Sequence, residues 1–196
     1  MLQTLGIIAG ILTIIGALPY IRDILFNKTK PERATWFIWI VLASIAFSSQ
    51  FAKGASNSLW LTGLESIAVF VIFILSIQRG VGGLNKRDIV ILLVAMLGLI
   101  LWYFTKEASF ALYIIIGVDL TGTIPTVIKA YEDPESETFI TWLLSSIAGV
   151  LTMISVGKLN LILLSYPFYI FVANGAVVVA MVFGKKRMTK TTKLHN

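Results

Sequence analysis

Apolar runs of about twenty residues recur along this chain, separated by links too short to hold any other element, and this feature constrains the fold most. At 1.5 Å per residue a run of that length crosses the roughly 30 Å hydrocarbon layer of a bilayer on its own. Runs bounded by charges, glycines and prolines predict helices near 2–21, 34–53, 58–78, 88–105, 108–130, 138–157 and 159–183. The expectation is an all-α membrane protein of seven transmembrane helices. Composition agrees, since 57% of the 196 residues are hydrophobic, 13% are charged and the mean hydropathy is +0.88. Seven spans leave no room for a soluble domain, so function has to sit within the bundle. The first span, Leu2–Ile21, ends too polar (Pro19, Tyr20, then Arg22) to read as a cleaved signal peptide.

Several chemistries drop out at once. With no cysteine there is no disulfide, thiolate nucleophile or thiolate metal site, and the single histidine, His195, is next to the last residue. The sequence also carries no glycine-rich phosphate loop and no Ser-His-Asp set, so neither an enzyme, a metal nor a cofactor is expected. The net charge of +6 is better explained by membrane topology than by nucleic acid, which is not an expected partner. If the links alternate sides, Lys53, Lys106 and Lys158 fall on one face. The other thirteen cationic residues (Arg22, Lys28, Lys30, Arg33, Arg79, Lys86, Arg87, Lys129, Lys185, Lys186, Arg187, Lys190 and Lys193) fall on the opposite face. By the positive-inside rule the crowded face is cytoplasmic, which puts the N-terminus outside and the C-terminus inside, with the plasma (inner) membrane as the expected location.

An internal repeat is also visible. At an offset of 106, Gly16, Pro19, Thr35 and Trp36 fall on Gly122, Pro125, Thr141 and Trp142 without a gap. Helices 1 and 2 thus match helices 5 and 6, helices 3 and 7 become the third members, and helix 4 is a connector that restores the orientation of the second copy. The expected units are 1–78, a connector region 79–107, 108–184, and a disordered basic tail 185–196, the two units being parallel repeats about an axis along the membrane normal. In the third helices only Gly54 and Gly157 meet, after a shift of three residues.

With this plan, and with a proline near the cytoplasmic end of the first helix of each unit, the chain resembles the superfamily of SWEET sugar transporters, PQ-loop proteins, KDEL receptors and nicotinamide riboside transporters. It departs from the motifs of those branches. Pro19-Tyr20 and Pro125-Thr126 stand where PQ-loop proteins carry Pro-Gln, the second helices lack the SWEET proline, and of the paired SWEET asparagines only Asn174 is present. The resemblance implies a small-solute transporter with alternating access between the two units, for a sugar, amino acid or nucleoside-like substrate. The alternative is a receptor or sorting protein that binds a ligand without moving it. Both need only a small-molecule ligand and the bilayer; a monomer suffices, and a homo-oligomer is compatible.

Polar groups in hydrocarbon are costly, roughly 2.5 to 3.5 kcal/mol for a central charge, and therefore mark candidate sites. Asp119 lies eleven residues into helix 5, with Gly122, Thr123 and Thr126 on its face. It reads as a proton acceptor or solute partner, against a neutral carboxyl bonded to a neighbouring helix. Glu65 lies a third of the way into helix 3 and reads as a second titrating group or an outer gate, against a structural hydrogen bond. Two acids facing one cavity would allow proton coupling. Helix 2 carries the stripe Thr35, Trp39, Ala43, Ala46 and Gln50, and helix 6 the stripe Thr141, Ser145, Ala148, Thr152 and Ser155. Small and hydroxyl side chains line pathways but are more often the glue of helix packing. Trp36 and Trp142 stand where an interfacial aromatic belt is expected, with stacking on a solute as the second reading. Pro19 and Pro125, eased by Gly16 and Gly122, predict paired bends that would serve as a gate, against the plain reading that each proline begins a loop. Pro167 reads as a local kink in helix 7. The basic first loop and the acidic second loop (Glu132, Asp133, Glu135, Glu137) read as solvated loops, with ion pairs across the pseudo-axis as the second reading.

Overall fold

The computed structural model describes residues 1–27, 31, 33–80, 83, 84 and 86–194, excluding the side chains at 34, 35, 87, 88, 91, 121, 122, 125, 129, 136 and 189–194. Expectations about Lys28, Lys30 and His195, and about the surroundings of the Thr35, Gly122, Pro125 and Lys129 side chains, lie outside the described residues. Among the described residues there are seven α-helices: α1 Leu2–Leu25, α2 Arg33–Ala52, α3 Leu59–Arg79, α4 Lys86–Thr105, α5 Ala108–Glu132, α6 Phe139–Ser155 and α7 Leu161–Leu194. A 3-10 turn, Pro134–Ser136, joins α5 to α6.

The alternative reading of the two prolines falls, and the expected disorder of the tail is corrected. α1 runs on past Pro19 to Leu25, and α5 past Pro125 to Glu132, so neither proline begins a loop. One missing backbone donor does not end a helix whose other turns remain bonded. The segment 185–194, expected to be disordered, continues α7. It holds neither Gly nor Pro and is rich in Lys and Arg, which are good helix formers. It is also anchored, because Arg187 Nη2 donates to the Glu132 carbonyl at 3.0 Å.

Consecutive helices alternate in direction. At the end of the bundle that carries Met1, the Leu2 side chain lies against Gly157, Asn57 against Gly6, and Lys53 pairs with Glu107. At the opposite end, Arg79 Nη1 donates to the Leu25 carbonyl at 2.6 Å and Arg33 Nε to that of Ser76 at 3.1 Å, and Gly184 packs on Tyr131 and Pro134. Around the bundle the helices form a ring in the order α1, α3, α2, α5, α7, α6 and back to α1, with α4 outside it on α5 and the edge of α2.

Small residues bring the backbones together. A Cβ added at Gly6 would lie 2.0 Å from the Asn57 carbonyl oxygen, and one at Gly10 2.6 Å from that of Trp60, so α3 rests directly on this face of α1. Gly149 does the same between α6 and α7, where a Cβ would stand 2.7 Å from the Phe171 nitrogen. The hydroxyls of α6 act as packing groups, with Thr141 Oγ1 donating to the Gly16 carbonyl at 2.8 Å and Ser146 Oγ to that of Phe171 at 3.0 Å.

The outer surface is apolar all round. On α4 alone Ile89, Val90, Leu93, Met96, Leu97 and Ile100 are exposed, far beyond the patches that soluble monomers tolerate. Leu2–Leu25, Leu59–Arg79 and Leu161–Met188 are long and apolar enough to cross a membrane. Among the described residues, Trp36–Ala52, Leu92–Thr105, Ala108–Leu120 and Phe139–Ser155 are further, shorter apolar helical stretches. The chain is a helical membrane protein.

Candidate functional site

Asp119 stands eleven residues into α5, about 16 Å along the helix, and points into the ring. Its Oδ2 accepts a hydrogen bond from the Tyr169 hydroxyl of α7 at 2.5 Å. Thr123, one turn further along the same face, brings its Oγ1 to 3.0 Å from the Tyr169 oxygen. With the tyrosine proton committed to Asp119, the threonine is the donor in that second contact. From α2 the Trp39 side chain approaches the Asp119 carboxyl. Asp119 thus has neighbours from two other helices.

Glu65 makes the equivalent pair one turn away. The Tyr166 hydroxyl donates to Glu65 Oε2 at 3.0 Å, and the Tyr166 and Tyr169 ring centroids are 6.4 Å apart. A spacing of three residues puts both tyrosines on one face of α7, and Pro167 between them presses its carbonyl against Gly149 of α6, which holds that face towards the ring. Both tyrosines are 8% exposed. The two acids, 54 residues apart in sequence, are therefore bonded to neighbouring tyrosines of one helix, Glu65 to Tyr166 and Asp119 to Tyr169, which also meets Thr123. No Lys or Arg forms a salt bridge with either acid among the described residues.

An aromatic column continues from Trp39 towards the end opposite Met1. The Trp36 ring meets Trp39 edge-on at 4.8 Å and Tyr20 at 5.2 Å. Trp36 therefore packs on two rings of its own chain. Trp142 lies nearby, its indole N–H donating to Glu137 Oε2 at 3.0 Å.

The structure brings together five of the expected site residues, Asp119, Glu65, Thr123, Trp39 and Trp36, and leaves others aside. Asn174 donates its amide to the Ile170 carbonyl of its own helix at 2.7 Å. Ser145 is half-buried, and it is its neighbour Ser146 that bonds α6 to α7. Gly16 is buried and its carbonyl is taken by Thr141, while Pro19 lies within α1. Tyr166, Tyr169 and Tyr20 were not foreseen. The available signal was a pair of tyrosines bracketing a proline in an otherwise apolar helix.

A groove of about 760 Å³ lies elsewhere, between α2 and α3, lined by Ser44, Phe47, Ser48, Trp60, Gly63 and Ser66. Several of these side chains are exposed on the outer surface, and neither acid contributes to it.

In chemical terms, a carboxyl accepts hydrogen bonds when ionised and also donates when protonated, so each acid can change its bonding to tyrosine, tryptophan or a solute by moving one proton. No protein-family model, no curated protein and no solved structure matches this chain.

Proposed function

We propose that this protein is a small-solute membrane transporter of seven spans. Two parallel three-helix units, α1–α3 and α5–α7, expose a shared central pathway first to one side and then to the other. The observation that carries this reading is the interior line of Glu65, Tyr166, Tyr169, Asp119, Thr123 and Trp39, which draws on α2 and α3 of one unit and α5 and α7 of the other. Uncompensated acids inside a membrane bundle are expensive and mark solute or proton paths. Protonation of either acid offers a means of coupling solute movement to a proton gradient.

Four features support the two-unit plan. Exchanging α1, α2 and α3 with α5, α6 and α7 leaves every contact of the helix ring in place. Arg79 caps the end of α1 through the Leu25 carbonyl, as Arg187 caps α5 through that of Glu132. Gly80 packs on Pro31, as Gly184 packs on Pro134. Gly54 and Gly157 both follow the second helix of their unit with positive φ, +78° and +68°. The connector is α4, outside the ring. In this reading the Met1 end is outside, the cation-rich end is cytoplasmic in the plasma membrane, and a monomer with no cofactor suffices. The paired prolines, Pro19 and Pro125 with Gly16 and Gly122, act as hinges, and no enzymatic step is involved.

The test is uptake into proteoliposomes of labelled sugars, amino acids and nucleosides, with and without a proton gradient, comparing wild type with Asp119→Asn. Uptake of one class, reduced by about tenfold or more in the variant, is the expected result. Saturable binding without uptake would replace the transporter by a receptor or sorting protein. Neither binding nor uptake would remove the functional reading.

A further inference from the structure

Among the described residues, the buried side-chain polar atoms that meet no protein partner belong to two neighbours near the end of α2: Ser49 Oγ, and both Nε2 and Oε1 of Gln50. Ser49 is fully buried and Gln50 is 2% exposed. They differ from four other buried hydroxyls of the bundle. Ser76 bonds to Phe73, Ser146 to Phe171, Thr152 to Ala148 and Ser155 to Thr152, each through a backbone carbonyl. Buried polar groups in native proteins are paired with protein, water or ligand. A carboxamide whose donor and acceptor both lack a protein partner is built to receive something else.

Its position says what that is. Gln50 follows Trp39 by eleven residues, three helical turns, which returns it to within about 20° of the same face of α2. That face meets Asp119 at Trp39 and continues through the small residues Ala43 and Ala46. Gln50 lies two residues from the Met1-end terminus of α2, whereas Glu65 lies six residues from the corresponding terminus of α3. The amide is therefore further out than Glu65 along the same interior. One turn beyond it, Lys53 pairs with Glu107 and ties the end of α2 to the link before α5.

We infer that Gln50, with Ser49 beside it, is a solute-binding subsite of the interior, between Glu65 and the Met1 end, for a neutral group that presents a hydrogen-bond donor and acceptor together. A hydroxyl or a carboxamide fits this description. A neutral amide cannot compensate an ion, and an ion of either sign would leave one of its two atoms facing the wrong polarity. The inference rests on reading the interior as a pathway.

The native chain has no cysteine, so full-length Gln50→Cys carries a single thiol. In proteoliposomes, a membrane-impermeant cationic methanethiosulfonate should modify Gln50→Cys at least about tenfold faster than Ser48→Cys, which is exposed on the groove side of α2. Glycerol or acetamide should slow the reaction at position 50 and leave Ser56→Cys in the α2–α3 link unaffected. Gln50→Leu should retain the melting temperature of wild type or exceed it, because it removes the unpaired amide, while uptake of whichever solute the wild type carries falls. A thiol at 50 as slow as that at 48, or one that neither probe protects, overturns the subsite. So does Gln50→Leu with full uptake. If the wild type moves no solute yet position 50 is protected, the subsite stands and the transport reading falls.

Discussion

Tyr169 holds Asp119 and Thr123 together through one oxygen, and that oxygen is the most consequential atom of the interior. Tyr169→Phe keeps the ring and removes both bonds, so it should cost about 1–3 kcal/mol, read as a lowered melting temperature, and should abolish proton-dependent uptake. Glu65→Gln separates the two effects. Its amide oxygen still accepts from Tyr166, so the melting temperature should barely move, while the pH dependence of uptake should change; an unchanged pH profile would remove Glu65 from any proton path. At the Met1 end, Glu107 is exposed and its pKa is lowered from 4.5, first by hydrogen bonding to Lys53, then by the charge of Lys53, and further by Ser109. The neighbouring cation, Lys106, lies over the Tyr103 ring. A lowered pKa means that the Lys53–Glu107 contact is fully present above pH 4.5 and is lost as pH falls through the lowered value. The Lys53 side-chain ¹⁵N resonance should show this acidic step, and Glu107→Gln should lose it.

Helix pairing rests on contacts between backbones. Gly10 leaves no room for a methyl group, since a Cβ would stand 2.6 Å from both the Trp60 carbonyl oxygen and the Leu64 Cδ1. Gly10→Ala should therefore destabilise by about 1–3 kcal/mol, and Gly10→Leu more. Gly117 has nothing within 4 Å of an added Cβ, so Gly117→Ala should be tolerated. A thermal-shift comparison of the three variants checks the ranking, and equal melting temperatures for Gly10→Ala and wild type would mean that α1 and α3 are not so closely packed. The same principle explains α6. Its sequence stripe reads as a polar face, yet Thr141 and its relatives spend their hydroxyls on backbone carbonyls, as groups surrounded by apolar side chains and lipid must.

Across the whole molecule the links fall at two ends, and single cysteines test this directly in a chain that has none. Thiols at Ser56, Glu107 and Lys158 should react from one side of a sealed vesicle, and those at Gly83 and Lys185 from the other. Labelling of all five from the same side would end the seven-span reading. The helices, their approximate limits and the apolar exterior were legible in the sequence because bilayer-length apolar runs and breaker residues are local properties of the chain. Asp119, Glu65 and Trp39 were legible as candidates because a polar group in such a run is conspicuous by itself. The sequence did not show that the two acids bond to neighbouring tyrosines of α7, that Trp36 packs on Tyr20 and Trp39, or that Gln50 is buried without a protein partner. Those facts depend on which helix faces are neighbours. The helix order around the ring, set by close approaches such as Gly6 and Gly10 on α3 and Gly149 on α7, decides this, and no run of consecutive residues encodes it.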